Sequence, residues 1–199
     1  MKYKIIYTIT VSSIAMFFLT LNSSSVCKTT SQGAPYGVTG APNESDCAKS
    51  GCHGGSQVFN GGGALKIDFN NGINKYEAGK TYPITIELAQ KDIERFGFEF
   101  VALNNSTKES IGKLIATDTL KMQLMDGKKE LSNREYITYR YLGTEAEKTG
   151  LGKWTFLWQA PKDLSNDVSF YFATVAANDD GTDSGDWVYK SNLTIQAKK

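Results

Sequence analysis

The clearest signal along the chain is a period-two alternation of apolar and polar positions that begins at Ala64 and recurs to the C-terminus. Leu65-Lys66-Ile67-Asp68-Phe69 alternates cleanly until Gly72 breaks the pattern. Tyr82-Pro83-Ile84-Thr85-Ile86-Glu87-Leu88 repeats it, with Tyr82, Ile84, Ile86 and Leu88 on one face. Phe96 to Leu103 (FGFEFVAL) is more continuously apolar, which predicts a buried central strand. Weaker strands are predicted at Lys121–Met125 and Tyr136–Tyr141. Trp154–Trp158 alternates and stops at Pro161, which holds the residue before it extended. Val168–Ala176 and Trp187–Ile195 complete the set. Turn signals at Gly72, Asn104-Asn105, Asp126-Gly127, Asp163–Asn166 and Asp179–Gly185 separate these runs. Roughly seven or eight short strands so punctuated predict an all-β chain, an antiparallel β-sandwich over residues 64–199. Only Gly143–Thr149 admits a helix, and a loop is the better expectation there.

Two earlier segments differ in kind. Residues 26–63 are Gly/Ser/Asn-rich and show neither period, so an irregular segment is expected. Residues 1–25 read as a secretory signal: Lys2 and Lys4, an apolar stretch from Ile5 to Leu21, then Ser23, Ser24 and Ser25 at the cleavage region. Export to the periplasm, the outer-membrane surface or the extracellular space follows. With no second apolar run, the mature form is expected to have no transmembrane segment. Cys27, just after the signal, is a candidate lipid anchor.

Composition narrows the chemistry. With 22 Lys+Arg against 21 Asp+Glu, the chain lacks the basic footprint of a nucleic-acid binder. A single His excludes the HExxH type of zinc site, and no residue set supports hydrolysis or group transfer, so no enzyme is expected.

The informative unit is Cys47-Ala48-Lys49-Ser50-Gly51-Cys52-His53. A Cys pair followed directly by His is the pattern for covalent haem c, in which Cys47 and Cys52 form thioethers and His53 is the proximal iron ligand. The usual spacing between the cysteines is two residues; here it is four. The same residues admit a disulfide, which suits an exported chain. A zinc site would find three ligands and no evident fourth. The acidic loop from Asn178 to Asp186 has oxygen ligands at the close spacing of Ca²⁺ turns, but lacks the terminal Glu of an EF-hand, and a wide turn bonded to its own backbone is the better expectation.

Around this unit, Tyr36–Pro42 (YGVTGAP), Tyr76–Tyr82 (YEAGKTY), Arg95–Leu103 (RFGFEFVAL), Trp154–Pro161 (WTFLWQAP) and the closing AANDDGTDSGDWVY resemble secreted bacterial Reeler-like domains, also called choice-of-anchor V domains. The resemblance spans about residues 35 to 196 and implies a sandwich related to the reelin N-terminal domain, with a CxxCH-type unit ahead of its first strand. Where relatives are expected to carry a His, in a YVTHT-like pattern, this chain has Tyr139. Tyr139, Met122 and Met125 are therefore the candidates for a distal iron ligand, beside an open sixth site, and core packing is the better expectation for each Met. The expectation is an exported mono-haem protein for electron transfer or redox sensing, working with a redox protein partner. The alternative is a secreted adhesion or binding module with Cys47–Cys52 as a structural disulfide.

Overall fold

The computed structural model describes residues 32–48, 53, 61–163, 166–182 and 184–198. The signal segment and Cys27 lie outside them. Ten strands form two facing sheets: β1 (Ala64–Phe69), β2 (Lys75–Tyr76), β3 (Thr81–Ala89), β4 (Arg95–Asn104), β5 (Lys113–Ile115), β6 (Met122–Asp126), β7 (Glu135–Tyr139), β8 (Leu151–Gln159), β9 (Val168–Ala177) and β10 (Trp187–Ala197). One sheet runs β1-β3-β8-β5 and the other β2-β10-β9-β4-β7-β6. Every pairing is antiparallel except that of β2 with β10. The fold is an all-β sandwich, as the alternation predicts.

Alternation becomes packing between the sheets. Tyr82, Ile84, Ile86 and Leu88 of β3 are all buried, and in register Ile84 opposes Phe156 and Ile86 opposes Trp154 of β8. The facing sheet answers with Phe96, Phe98, Phe100, Phe170 and Phe172. Ring centroids lie 4.7 Å apart for Phe98 and Trp154, 4.9 Å for Phe100 and Phe156, and 5.4 Å for Trp158 and Phe170, within the range where aromatic pairs attract beyond area burial. Full burial of one such side chain stabilises by about 1.5–3 kcal/mol. β2 and β5, with two and three residues, are too short to show a period, and sequence reasoning passes over them. Where a helix was only just admitted, the chain makes a 3-10 turn, Tyr141–Thr144, and continues as loop.

β4 and β9 are buried on both faces, and the reason lies outside the strands. Residues 32–48 lie across the outer face of the six-stranded sheet. Val38 and Cys47 pack on Ala173, Val175 and Val188, and Ala41 packs on Val101, Leu103 and Tyr136. The segment carries one bridge, Thr39 with Asp46, and turns in which Gly40, Glu44 and Ser45 donate to its own carbonyls; side chains of the sheet satisfy other backbone groups. Glu99 Oε2 accepts the Val38 N–H at 2.8 Å and Thr138 Oγ1 accepts the Ala34 N–H at 3.1 Å. The Glu44 carboxylate, on a fully covered side chain, accepts from Arg134 Nη1 at 2.5 Å and from the Tyr136 hydroxyl at 2.8 Å. Lys190 Nζ meets Asp46 Oδ2 at 2.7 Å. This segment positions the site described next.

Candidate functional site

The β9–β10 connection is built from its own side chains. Asn178 Oδ1 accepts the Asp180 N–H, and Asp180 Oδ1 accepts both the N–H and the hydroxyl of Thr182. Asn178 Nδ2 in turn donates to Asp180 Oδ2 and to the Ser184 carbonyl. These are Asx-type turns, the wide-turn arrangement expected of the acidic loop. At its end, buried Asp186 accepts the Asn178 N–H on Oδ1 at 3.1 Å, and its Oδ2 lies 2.6 Å from His53 Nδ1. One carboxylate thus closes the loop and holds the only histidine. With Nδ1 engaged, Nε2 is the ring nitrogen left for other contacts.

His53 and Asp186 line a cleft of about 280 Å³ together with the polar side chains of Arg95, Tyr139, Tyr141, Thr144, Asp179 and Thr182. Gly97, Val175 and Ala177 give it an apolar wall. Arg95 stands at the start of β4, with its guanidinium 5.8 Å from the centre of the Tyr141 ring. Its other contacts are long: Nε to Asp179 Oδ2 at 3.4 Å, Nη1 to Thr144 Oγ1 at 3.4 Å and Nη1 to Glu145 Oε1 at 3.9 Å. The Tyr139 ring lies against Gly97, where a Cβ would come within 2.7 Å of Cε1, so the missing side chain makes room for the ring.

Behind Tyr139 burial favours the neutral forms of the titratable groups. Burial, and then the neighbouring Cys47 and Glu99, push the Tyr139 phenol up. Burial, then the Glu99 and Asp46 carboxylates, push up the Cys47 thiol, whose Sγ lies 3.8 Å from the Val38 carbonyl oxygen. Burial also raises Glu99 well above the ordinary carboxylate value; the hydrogen bonds from Val38 and Gly37 pull the other way and lose. Among the described residues, Glu99 Oε1 is a buried oxygen with no hydrogen-bond partner.

The structure therefore brings His53 and Tyr139 to one cleft, with Cys47 behind it. Cys52 lies outside the described residues. Met122 is buried in the inter-sheet core, and Met125 packs with the Val101, Leu103 and Tyr136 cluster. Neither methionine lines the cleft. Arg95, Glu99 and the Glu44–Arg134 pair went unnoticed in the sequence. Glu99 had a legible sign, as the one acid inside an apolar run; Glu44 and Arg134, ninety positions apart, had none.

No protein-family model matches the chain, and no curated protein matches it in sequence. Solved structures do. The human F-spondin reeler domain (fragment 1) is similar at 16% identity and TM-score 0.46, covering 66% of this chain and 88% of that one. The Reelin-N domain of F-spondin is similar at 18% identity and TM-score 0.44, covering 67% and 86%. A cohesin module from a Clostridium perfringens family 33 glycoside hydrolase is similar at 13% identity and TM-score 0.42, covering 68% and 96%.

The expectation of a cytochrome c-like protein for electron transfer or redox sensing is corrected by the side chains that the fold brings together. Among the described residues no group of three or more His, Cys, Asp or Glu side chains is placed to hold a metal ion. The physical reason is visible in the geometry: Cys47 is packed into an aliphatic cluster under residues 32–48, and the two methionines serve as packing groups. Among the described residues, no helix is long and apolar enough to cross a membrane.

Proposed function

We propose that this chain is an exported binding module that acts by holding a partner, not by catalysis, and that the cleft beside the β9–β10 turn is its binding site. One observation carries the reading. The segment before the sandwich delivers His53 onto Asp186 at 2.6 Å, so a chain-distant residue completes a cleft at the end of a rigid β-framework. Concave sites that combine an apolar wall with a few convergent polar groups are the usual form of small-ligand sites. Placing them on loops held by a packed scaffold is the usual way a sandwich gains specificity. The signal-like residues 1–25 support export.

The test is amide chemical-shift mapping of the mature chain against mixed fragment cocktails. The reading expects responses concentrated on Arg95, Gly97, Tyr141, Thr182 and Asp186. Responses that gather on a different surface, or none at all, overturn it.

A further inference from the structure

Resting on that binding reading, we propose that the cleft takes a neutral polyhydroxylated ligand, one sugar ring, in preference to a cation or an anion. Arg95 faces Asp179 and Glu145, and His53 faces Asp186, so each basic group in and around the cleft is already matched by a carboxylate. An anion arriving at Arg95 meets Asp179 and Glu145; a cation arriving at Asp179 meets Arg95. Like charges placed together penalise both.

A hydroxyl group has neither problem, because it donates and accepts at once. Asp179 is an exposed acceptor, its side chain 67% accessible, and it touches Arg95 only at 3.4 Å. That distance lies beyond the normal hydrogen-bond range, and exposed ion pairs contribute little, so the pair opens to admit a ligand at small cost. The guanidinium offers five donors in a planar fork, of which the long contacts to Asp179 and Thr144 use few. Two adjacent sugar hydroxyls placed between Arg95 and Asp179 would each accept from the first and donate to the second.

The non-polar requirement is met as well. A sugar ring carries C–H faces along with its hydroxyls, and Tyr141, half-exposed at the rim, offers an aromatic surface beside the apolar wall of Gly97, Val175 and Ala177. The volume, about 280 Å³, is at the lower end for drug-sized ligands and suits a single ring.

The experiment is saturation-transfer NMR on the mature chain, using methyl glycosides of glucose, galactose, mannose and N-acetylglucosamine as probes, with acetate and methylammonium as charged comparators. At least one glycoside should bind, and Tyr141→Ala and Arg95→Gln should each weaken it by about tenfold or more, as expected for Tyr and Arg anchors. Amide spectra of both variants establish that they fold. Binding of acetate or methylammonium at the cleft without any glycoside overturns the sugar proposal while the binding reading stands. Glycoside binding unaffected by either variant also overturns it. If no probe and no fragment reaches the cleft, both fall together.

Discussion

Glu44, in the irregular N-terminal segment, and Arg134, on the turn entering β7, meet in a buried ion pair at 2.5 Å, with side chains 0% and 4% accessible. The pair is not isolated. Glu44 also accepts the Tyr136 hydroxyl and the Thr39 hydroxyl, and Arg134 donates to the carbonyls of Pro42 and Lys108. It is the chief polar fastening of residues 32–48 to the sheet. Removing one partner strands the other charge without water. Glu44→Ala should therefore cost about 3–5 kcal/mol in denaturant unfolding. A loss near zero would show that the segment is not fastened there.

His53 and Asp186 form the second fastening, nearer the cleft. A hydrogen bond to a charged group contributes about 1.5–3 kcal/mol, so Asp186→Asn should destabilise by an amount of that order. It should also change the His53 imidazole ¹⁵N shifts, because Nδ1 loses its carboxylate. Unchanged ring shifts would mean that Asp186 does not set the ring's orientation.

Glu99 gives a pH signature. Burial raises its folded pKa well above the ordinary 4.5, so its favourable contribution is present below that value and declines as pH rises toward the folded pKa. The groups around it do not offset this: Cys47 and Tyr139 are themselves pushed toward their neutral forms, and the Glu44 carboxylate adds to the rise. Glu99→Gln keeps an oxygen for the Val38 N–H and removes the titration. Melting temperature should fall with rising pH above about 4.5 in the parent and more shallowly in the variant. Parallel pH curves for the two would refute this account of Glu99.

Gly97 is a steric prediction. Its substitution by Ala places a methyl 2.7 Å from the Tyr139 ring, which must move. The expected cost is about 1–3 kcal/mol, as for other overpacked sites, with an altered near-ultraviolet circular dichroism spectrum. An unchanged spectrum would place the ring elsewhere.

These relationships explain which parts of the molecule were legible in the sequence. The sandwich was, because Ile84, Ile86 and Leu88, or Phe96, Phe98 and Phe100, repeat with the period of a pleated strand. β2 and β5 were not, since two or three residues form no period. The run from Phe96 to Leu103 announced burial but not its cause: the second covering layer is an irregular segment whose Val38 and Ala41 follow no repeat. Cys47, Cys52 and His53 form one local unit in the sequence because they are neighbours in the chain. The partner that His53 finds is Asp186, 133 positions away, and spacing carries no information about such a contact. Met122 shows the same limit from the other side: a thioether suits an iron ligand or a packing group alike, and only its place on the inward face of β6 makes it core.

The proposed function places the module's partner molecule in the cleft beside the β9–β10 turn. Crystals of the mature chain soaked with a diverse fragment library test it most directly. The account predicts fragment density between Arg95, Asp179 and Tyr141, lost in Arg95→Gln crystals of the same form. Fragments that occupy other surfaces while this cleft stays empty across the library would contradict it.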